Sequence, residues 1–304
     1  MAATPRASLD PADGPVPTIG QCRHRIESIA LCNRIAYIHT MQPPIRIAVL
    51  ESDAPSPAFQ SQFGTYGDTI IRLLRTSCVT LDPPLDPNEL VFTKWDVERN
   101  PDYYPELDDI DAIFLCGVHD LLPPNATDST PWIIKLTDFT RKILLEQDRV
   151  RVIGVNFGQL IIGRALGCVV DRTPHVWEAS ITTVTLADVG QKVYGNDHLS
   201  IMHLHRDSLV TLPVNPFPQL PEATLDIVGE TDTCAVQGVY TPRKVISLQG
   251  DPELTAEMMV ALVRERIQGG HYTKDFASDA VRRANLRNDG VAIGAAFLRF
   301  LLEP

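Results

Sequence analysis

VRVIGVNFGQLIIGRALG, Val150–Gly167, joins an apolar run directly to a helical pattern. VRVIGVN is apolar enough for a parallel strand covered on both faces. FGQLIIGRALG follows without a linker and reads as a helix closed by Gly167. A buried strand that turns sharply into a helix, with small residues around one polar side chain, is the geometry of a nucleophile elbow. The polar residue is Asn156, held at the positive end of the helix, a place that suits an anion or a developing oxyanion. A carboxamide has no useful nucleophilicity, but it donates and accepts hydrogen bonds. Asn156 either serves a site or satisfies backbone groups at a tight turn.

Reading outward, IRIAVLESD (Ile45–Asp53) is a buried strand with the loop at its carboxyl end, and Phe59 to Thr76 a helix. LVFTKWDV (Leu90–Val97) and DAIFLCG (Asp111–Gly117) are further strands, and Pro131 to Gln147 a helix with a first-turn proline. Repeated strand–helix units predict an α/β fold with a doubly wound, mostly parallel sheet, flavodoxin-like in architecture. From Ala179 to Gln249 the chain is rich in β-branched residues. Strands are expected at ASITTVTLA, ATLDIVGE, TCAVQGVY and RKVISLQG, partly antiparallel. Helices are expected at Leu254–Ile267 and within Val281–Leu302. Three regions follow: an N-terminal extension over 1–44, with a short helix within Cys22–His39; a main domain over 45–270; and a C-terminal helical extension packed on it over 271–304. Met41, just before the first strand, is a second possible translation start.

The chain has 304 residues, 44% of them apolar, and a net charge of -11. That balance offers no broad cationic field for nucleic acid. No apolar run is long enough to span a membrane, and the N-terminus is not a secretory signal. The six cysteines are spread without a C-x-x-C pair, so neither a disulfide framework nor a zinc site is indicated. A cytoplasmic, reducing location is the simplest expectation. No nucleotide fingerprint is present, and no cofactor or metal is expected. H-L-H at 203–205 is not a specific metal spacing, and its two histidines are expected on opposite faces of an extended segment.

GVNFGQLIIGRALG resembles the elbow of the class I glutamine amidotransferase domain, especially the stand-alone fungal proteins related to the amidotransferase half of GMP synthase. Asn156 falls where that family carries its catalytic cysteine. Gln159 and Leu160 fall where a His-Gln pair helps line the glutamine pocket, while Phe157, Gly158 and Arg164–Gly167 match. DAIFLCG matches the strand whose last glycine, Gly117, lies near the oxyanion hole. HLHRDSL (His203–Leu209) resembles the family's M-H-x-D stretch. SLQGDPE (Ser247–Glu253) resembles Q-G-H-P-E, which puts Asp251 at the catalytic histidine and Glu253 at the triad carboxylate. The likeness runs from Ile45 to the chain end.

Amidotransfer needs a thiolate, an imidazole and a carboxylate that orients it. With Asn156 and Asp251 in the first two places, the resemblance implies that standard glutaminase activity is absent. Gly117, His119, Phe157, Gln159, Leu160 and His205 are the expected ligand-pocket residues around Asn156, Asp251 and Glu253. Cys116 is either a buried filler or a substitute thiol. Trp177 is a candidate pocket border, and the Arg282, Arg283, Arg287 run a solvated helix face. The resemblance suggests a diverged enzyme or accessory of fungal secondary-metabolite biosynthesis, at an amidation step, with an unknown small-molecule ligand and a separate synthetase as partner. The alternatives are a catalytically silent binding or regulatory subunit, and a lyase or isomerase that uses Asp251 and Glu253 without a covalent step.

Overall fold

The computed structural model describes residues 41–122, 129–172 and 177–304. The expected extension and its helix over Cys22–His39 lie almost wholly outside the described residues. Strands β1 (Ile45–Glu51), β2 (Leu90–Asp96), β3 (Ala112–Cys116), β4 (Arg151–Val155) and β11 (Val245–Leu248) pair in parallel in the order β2-β1-β3-β4-β11. The sheet continues antiparallel through β10 (Gly238–Thr241), β9 (Asp226–Glu230), β6 (Glu178–Leu186) and β7 (His198–His205), nine strands in all. A separate antiparallel pair joins β5 (Val169–Arg172) to β8 (Asp207–Thr211).

Side chains alternate across each strand, so the unbroken apolar runs feed two cores. Ile47 and Val49 of β1 join Phe114, Ile153 and Val155 on one face, while Ala48 and Leu50 join Ile113, Leu115 and Val152 on the other. The first face is covered by α2 (Tyr66–Ser77), α6 (Ala256–Gln268), α7 (Lys274–Arg283) and α8 (Gly290–Leu302). The second is covered by α3 (Pro131–Glu146) and α4 (Phe157–Leu166). Phe297 and Leu301 of α8 are fully buried beside β1 and β3 residues, so the last helix is part of the main core. The short helices α1 (Pro57–Phe63) and α5 (Asp188–Tyr194) fill connections. No helix among the described residues is long and apolar enough to cross a membrane.

Two glycines let α4 descend onto the sheet. A Cβ on Gly158 would stand 2.3 Å from the carbonyl oxygen of Leu115, and one on Gly154 2.9 Å from that of Gly158. Both obstacles are backbone, so neither can rotate away. At the far edge, β7 returns to the carboxyl ends of β4 and β11. The Met202 carbonyl accepts from the Asp251 amide at 2.7 Å, and the Ser200 carbonyl from the Asp289 amide at 2.8 Å. Strands β5, β7 and β8 and helix α5 were not expected from the sequence. HLSIMHLH mixes three histidines into its alternation, and burial of two of them hides the period-2 signal.

Gly158→Ala is expected to destabilise the protein by about 2–3 kcal/mol, the scale of overpacking a core that cannot yield. Gly167→Ala, where φ is +88° but no neighbour lies within 4 Å, should cost only about 1 kcal/mol. Urea unfolding of the two variants against the parent checks the order.

Candidate functional site

Strand β4 ends at Val155 and α4 begins at Phe157, which leaves Asn156 alone at the turn with φ +50° and ψ -112°. A non-glycine residue in that region is strained, and here the turn is bonded in on both sides. The Asn156 amide donates to the Leu248 carbonyl at 2.9 Å, and its own carbonyl accepts from the Gln159 amide at 3.0 Å. The side chain does not cap the helix. Its Nδ2 donates to Asp251 Oδ1 at 2.8 Å, Asp251 Oδ2 at 3.0 Å and the Leu204 carbonyl at 3.1 Å. The Leu204 carbonyl accepts whatever the protonation of Asp251, and the opposite amide orientation would set an oxygen against it. The clasp is closed to solvent, with Asn156 3% and Asp251 0% exposed.

Burial, then the neighbouring Glu253 charge, raises the Asp251 pKa well above the carboxylate range, against the Asn156 hydrogen bond that lowers it. Burial likewise raises Glu253 to about 7, and its Oε2 is buried without a hydrogen-bond partner among the described residues. A cavity of about 430 Å³ borders Glu253, Met202, Arg72 and Asn288 on the α2 side, and Asn156 does not line it.

The other expected residues divide. Gly117 has φ +139°, and a Cβ there would meet Ser52 Oγ at 2.4 Å, so glycine is required at this strand end. His119 bonds through Nε2 to the Ser52 carbonyl and packs edge-on to Phe157 and beside Trp132. Burial lowers its pKa. These three stay together at the carboxyl edge of the sheet, with Asp53 nearby. Burial, then Glu98 and Asp120, pushes Asp53 up to about 7. Gln159 does not line an open pocket. It is fully buried, accepts from Ser247 Oγ at 3.0 Å, and donates to the Val236 carbonyl and Gln249 Oε1 at 3.0 and 3.1 Å. Leu160 is likewise core, 4% exposed against the α3 side.

His205 turns away from Asn156 to Glu178, with Nε2 2.9 Å from Oε2. His203 joins it there, which corrects the expectation of opposite faces: residues two apart on a strand share a face. Burial, then His205, drives the His203 pKa down to about 3. Cys116 is fully buried, its Sγ 3.8 Å from the Leu50 carbonyl. Burial, then Glu51 and Glu253, raises its thiol well above the ordinary range. Trp177 packs edge-on to Tyr272 under the Arg206 guanidinium. Arg283 of the basic run is a tie rather than a solvated group, donating to the Ile181 carbonyl at 2.8 Å.

One feature was missed altogether. Asp120, beyond Gly117, is gripped by Arg266 of α6 through two bonds of 2.7 and 2.8 Å, both residues buried. This bidentate pair fixes the loop after β3 over the site. The residues are 146 positions apart, so no local pattern signals it.

Glu253 predicts a pH effect on stability. Below about pH 4.5 it is protonated whether folded or unfolded; from there to about 7 only the folded state keeps the proton. The stabilisation is therefore present at low pH and lost as pH rises through about 7. Glu253→Gln should be more stable than the parent at pH 8 by about 2–3 kcal/mol, and equal to it near pH 4. Urea unfolding at the two pH values measures this.

No family model matches this chain. A Schizosaccharomyces pombe protein named "Putative glutamine amidotransferase-like protein" is 28% identical over 260 residues, 84% of this chain and 98% of that one. A Saccharomyces cerevisiae protein named "Putative glutamine amidotransferase" is 25% identical over 222 residues, 70% of this chain and 80% of its own. Gamma-glutamyl peptidase 4 of Arabidopsis thaliana is 26% identical over 195 residues, 60% of this chain and 71% of its own. Among solved structures, a glutamine amidotransferase from Thermotoga maritima superposes with a TM-score of 0.62 at 15% identity, covering 86% of this chain and 99% of its own. At that identity the superposition speaks for the fold. With the elbow and the sheet order, these matches make the chain similar to fungal proteins named glutamine amidotransferase-like, and its fold is that of the class I glutamine amidotransferase structures.

Proposed function

We propose that this protein has no glutaminase chemistry and acts as a ligand-binding or accessory member of the amidotransferase-like group. The observation that carries the reading is the Asn156–Asp251 clasp. The elbow side chain is a carboxamide held by both oxygens of the residue facing it, at 2.8 and 3.0 Å. A glutamyl thioester needs a thiolate at the elbow and an imidazole to protonate the departing ammonia. Neither is present there, and Cys116 does not replace the thiol because its buried sulfur stays protonated. We extend the proposal, on the resemblance to stand-alone fungal proteins, to an accessory role at an amidation step of secondary metabolism. In this proposal a separate synthetase activates the acid.

One observation favours a second reading. Glu253, raised to about 7, is matched to general acid–base work at neutral pH. Against it, Glu253 Oε2 is buried and both Asp251 oxygens are occupied by Asn156.

The purified protein is expected to release no ammonia from amide-labelled glutamine under conditions where a working glutaminase does. Turnover above background overturns the reading. Iodoacetamide should leave the Cys116 peptide unmodified in the folded protein and alkylate it after denaturation, read by peptide mass spectrometry. Rapid labelling in the folded state would restore Cys116 as a nucleophile.

A further inference from the structure

We propose that Glu178, His203 and His205 form a buried binding site for a borderline first-row divalent cation, zinc foremost. Sheet pairing builds the site. Glu178 of β6 stands directly opposite His205 of β7, and His203 lies two residues back along the same strand and on the same face. Three donor atoms converge: His203 Nδ1 is 3.3 Å from His205 Nε2, His205 Nε2 is 2.9 Å from Glu178 Oε2, and Glu178 Oε2 is 3.6 Å from His203 Nδ1. A tetrahedral ion with bonds of about 2.0–2.1 Å needs donor–donor edges of about 3.3–3.4 Å. The mean edge here is already of that length. Two imidazoles with one carboxylate are a donor set that zinc and its first-row neighbours favour.

Protons alone serve this triangle poorly. An N–H on His205 Nε2 satisfies the line to Glu178. His203 Nδ1, 3.3 Å away, then faces an N–H already given to the carboxylate. If Nδ1 carries a proton, two N–H groups oppose each other; if it does not, its lone pair competes for a proton already given to the carboxylate. A cation takes all three lone pairs at once. The outer nitrogens, His203 Nε2 and His205 Nδ1, are buried without a partner among the described residues, and would carry the ring protons in the loaded site.

The carboxylate is also held from behind, as a ligating carboxylate should be. Thr231 and Thr233 donate to Glu178 Oε1, and Gln237 Nε2 donates to Oε2 at 2.6 Å. All three ligands are at most 7% exposed. The ion would therefore enter as the chain folds and tie β7, the strand whose carbonyls hold Asp251 and Asn156, to β6. The site is independent of the reading under Proposed function, because none of its side chains belongs to the Asn156–Asp251 clasp. It also departs from the absence of a metal expected from sequence spacing.

The test uses the full-length protein. Expressed in zinc-supplemented medium and washed with a chelator, it should retain one zinc per chain by elemental mass spectrometry. Metal-free protein refolded with cobalt should show a visible ligand-field band that saturates at one equivalent. Both signals should vanish in His205→Asn and in Glu178→Gln, and persist in Asp53→Asn, which alters a second His–carboxylate cluster among the described residues, Asp53, Glu98 and His119. No bound zinc together with no saturable band overturns the proposal. So does a signal that survives in a folded His205→Asn protein, or one abolished by Asp53→Asn. If His205→Asn fails to fold by circular dichroism, the zinc content and cobalt band of the parent decide the matter.

Discussion

The approach of α4 to β3 is the constraint from which the rest of the site follows. Gly158 lies against the Leu115 carbonyl with no room for a side chain, and Gly154 leaves space for the helix's own first turn. Only then can the chain pass from β4 into α4 through one residue. That residue takes a strained backbone conformation because hydrogen bonds to Leu248 and Gln159 hold both its sides. Its side chain is thereby aimed away from its own helix and toward Asp251.

The surroundings of that side chain are acidic and dry. Asp251, Glu253, Asp53 and Asp120 cluster near the carboxyl edge of the sheet, and among the described residues only Asp120 has a full cationic partner, in Arg266. In such a medium each unpaired carboxylate raises the proton affinity of the next. The site is thus organised around holding protons on oxygen. A thiolate placed there would be opposed by the same charges, as the raised thiol of Cys116 illustrates.

Much of this fold was legible because parallel strands buried on both faces leave continuous apolar runs, and β1, β3 and β4 each do so. The elbow was legible because strand, glycines and helix abut within a few residues. The antiparallel edge was harder. In β7, His203 and His205 point inward toward Glu178 of the neighbouring strand, which Thr231 and Thr233 hold from behind, so the alternation of apolar and polar residues loses its meaning. Gln159 misled for a related reason. The family resemblance alone put it in the pocket, while its three side-chain hydrogen bonds are internal and run to segments about 80–90 residues away. Local sequence carries spacing; it does not carry which distant partner will arrive.

The Asn156–Asp251 contact also has a genetic meaning. A residue without an amide at 156 would take from the buried Asp251 side chain the donor that bonds both its oxygens, a loss of about 1–3 kcal/mol. A residue without an acceptor at 251 would orphan a buried amide by a similar amount. Each change is harmful in the background of the other's present state, so the two positions are epistatic in the strict sense. Lineages that keep this fold should drift at 156 and 251 in concert, and the pair acts as one inherited character carried on two distant codons.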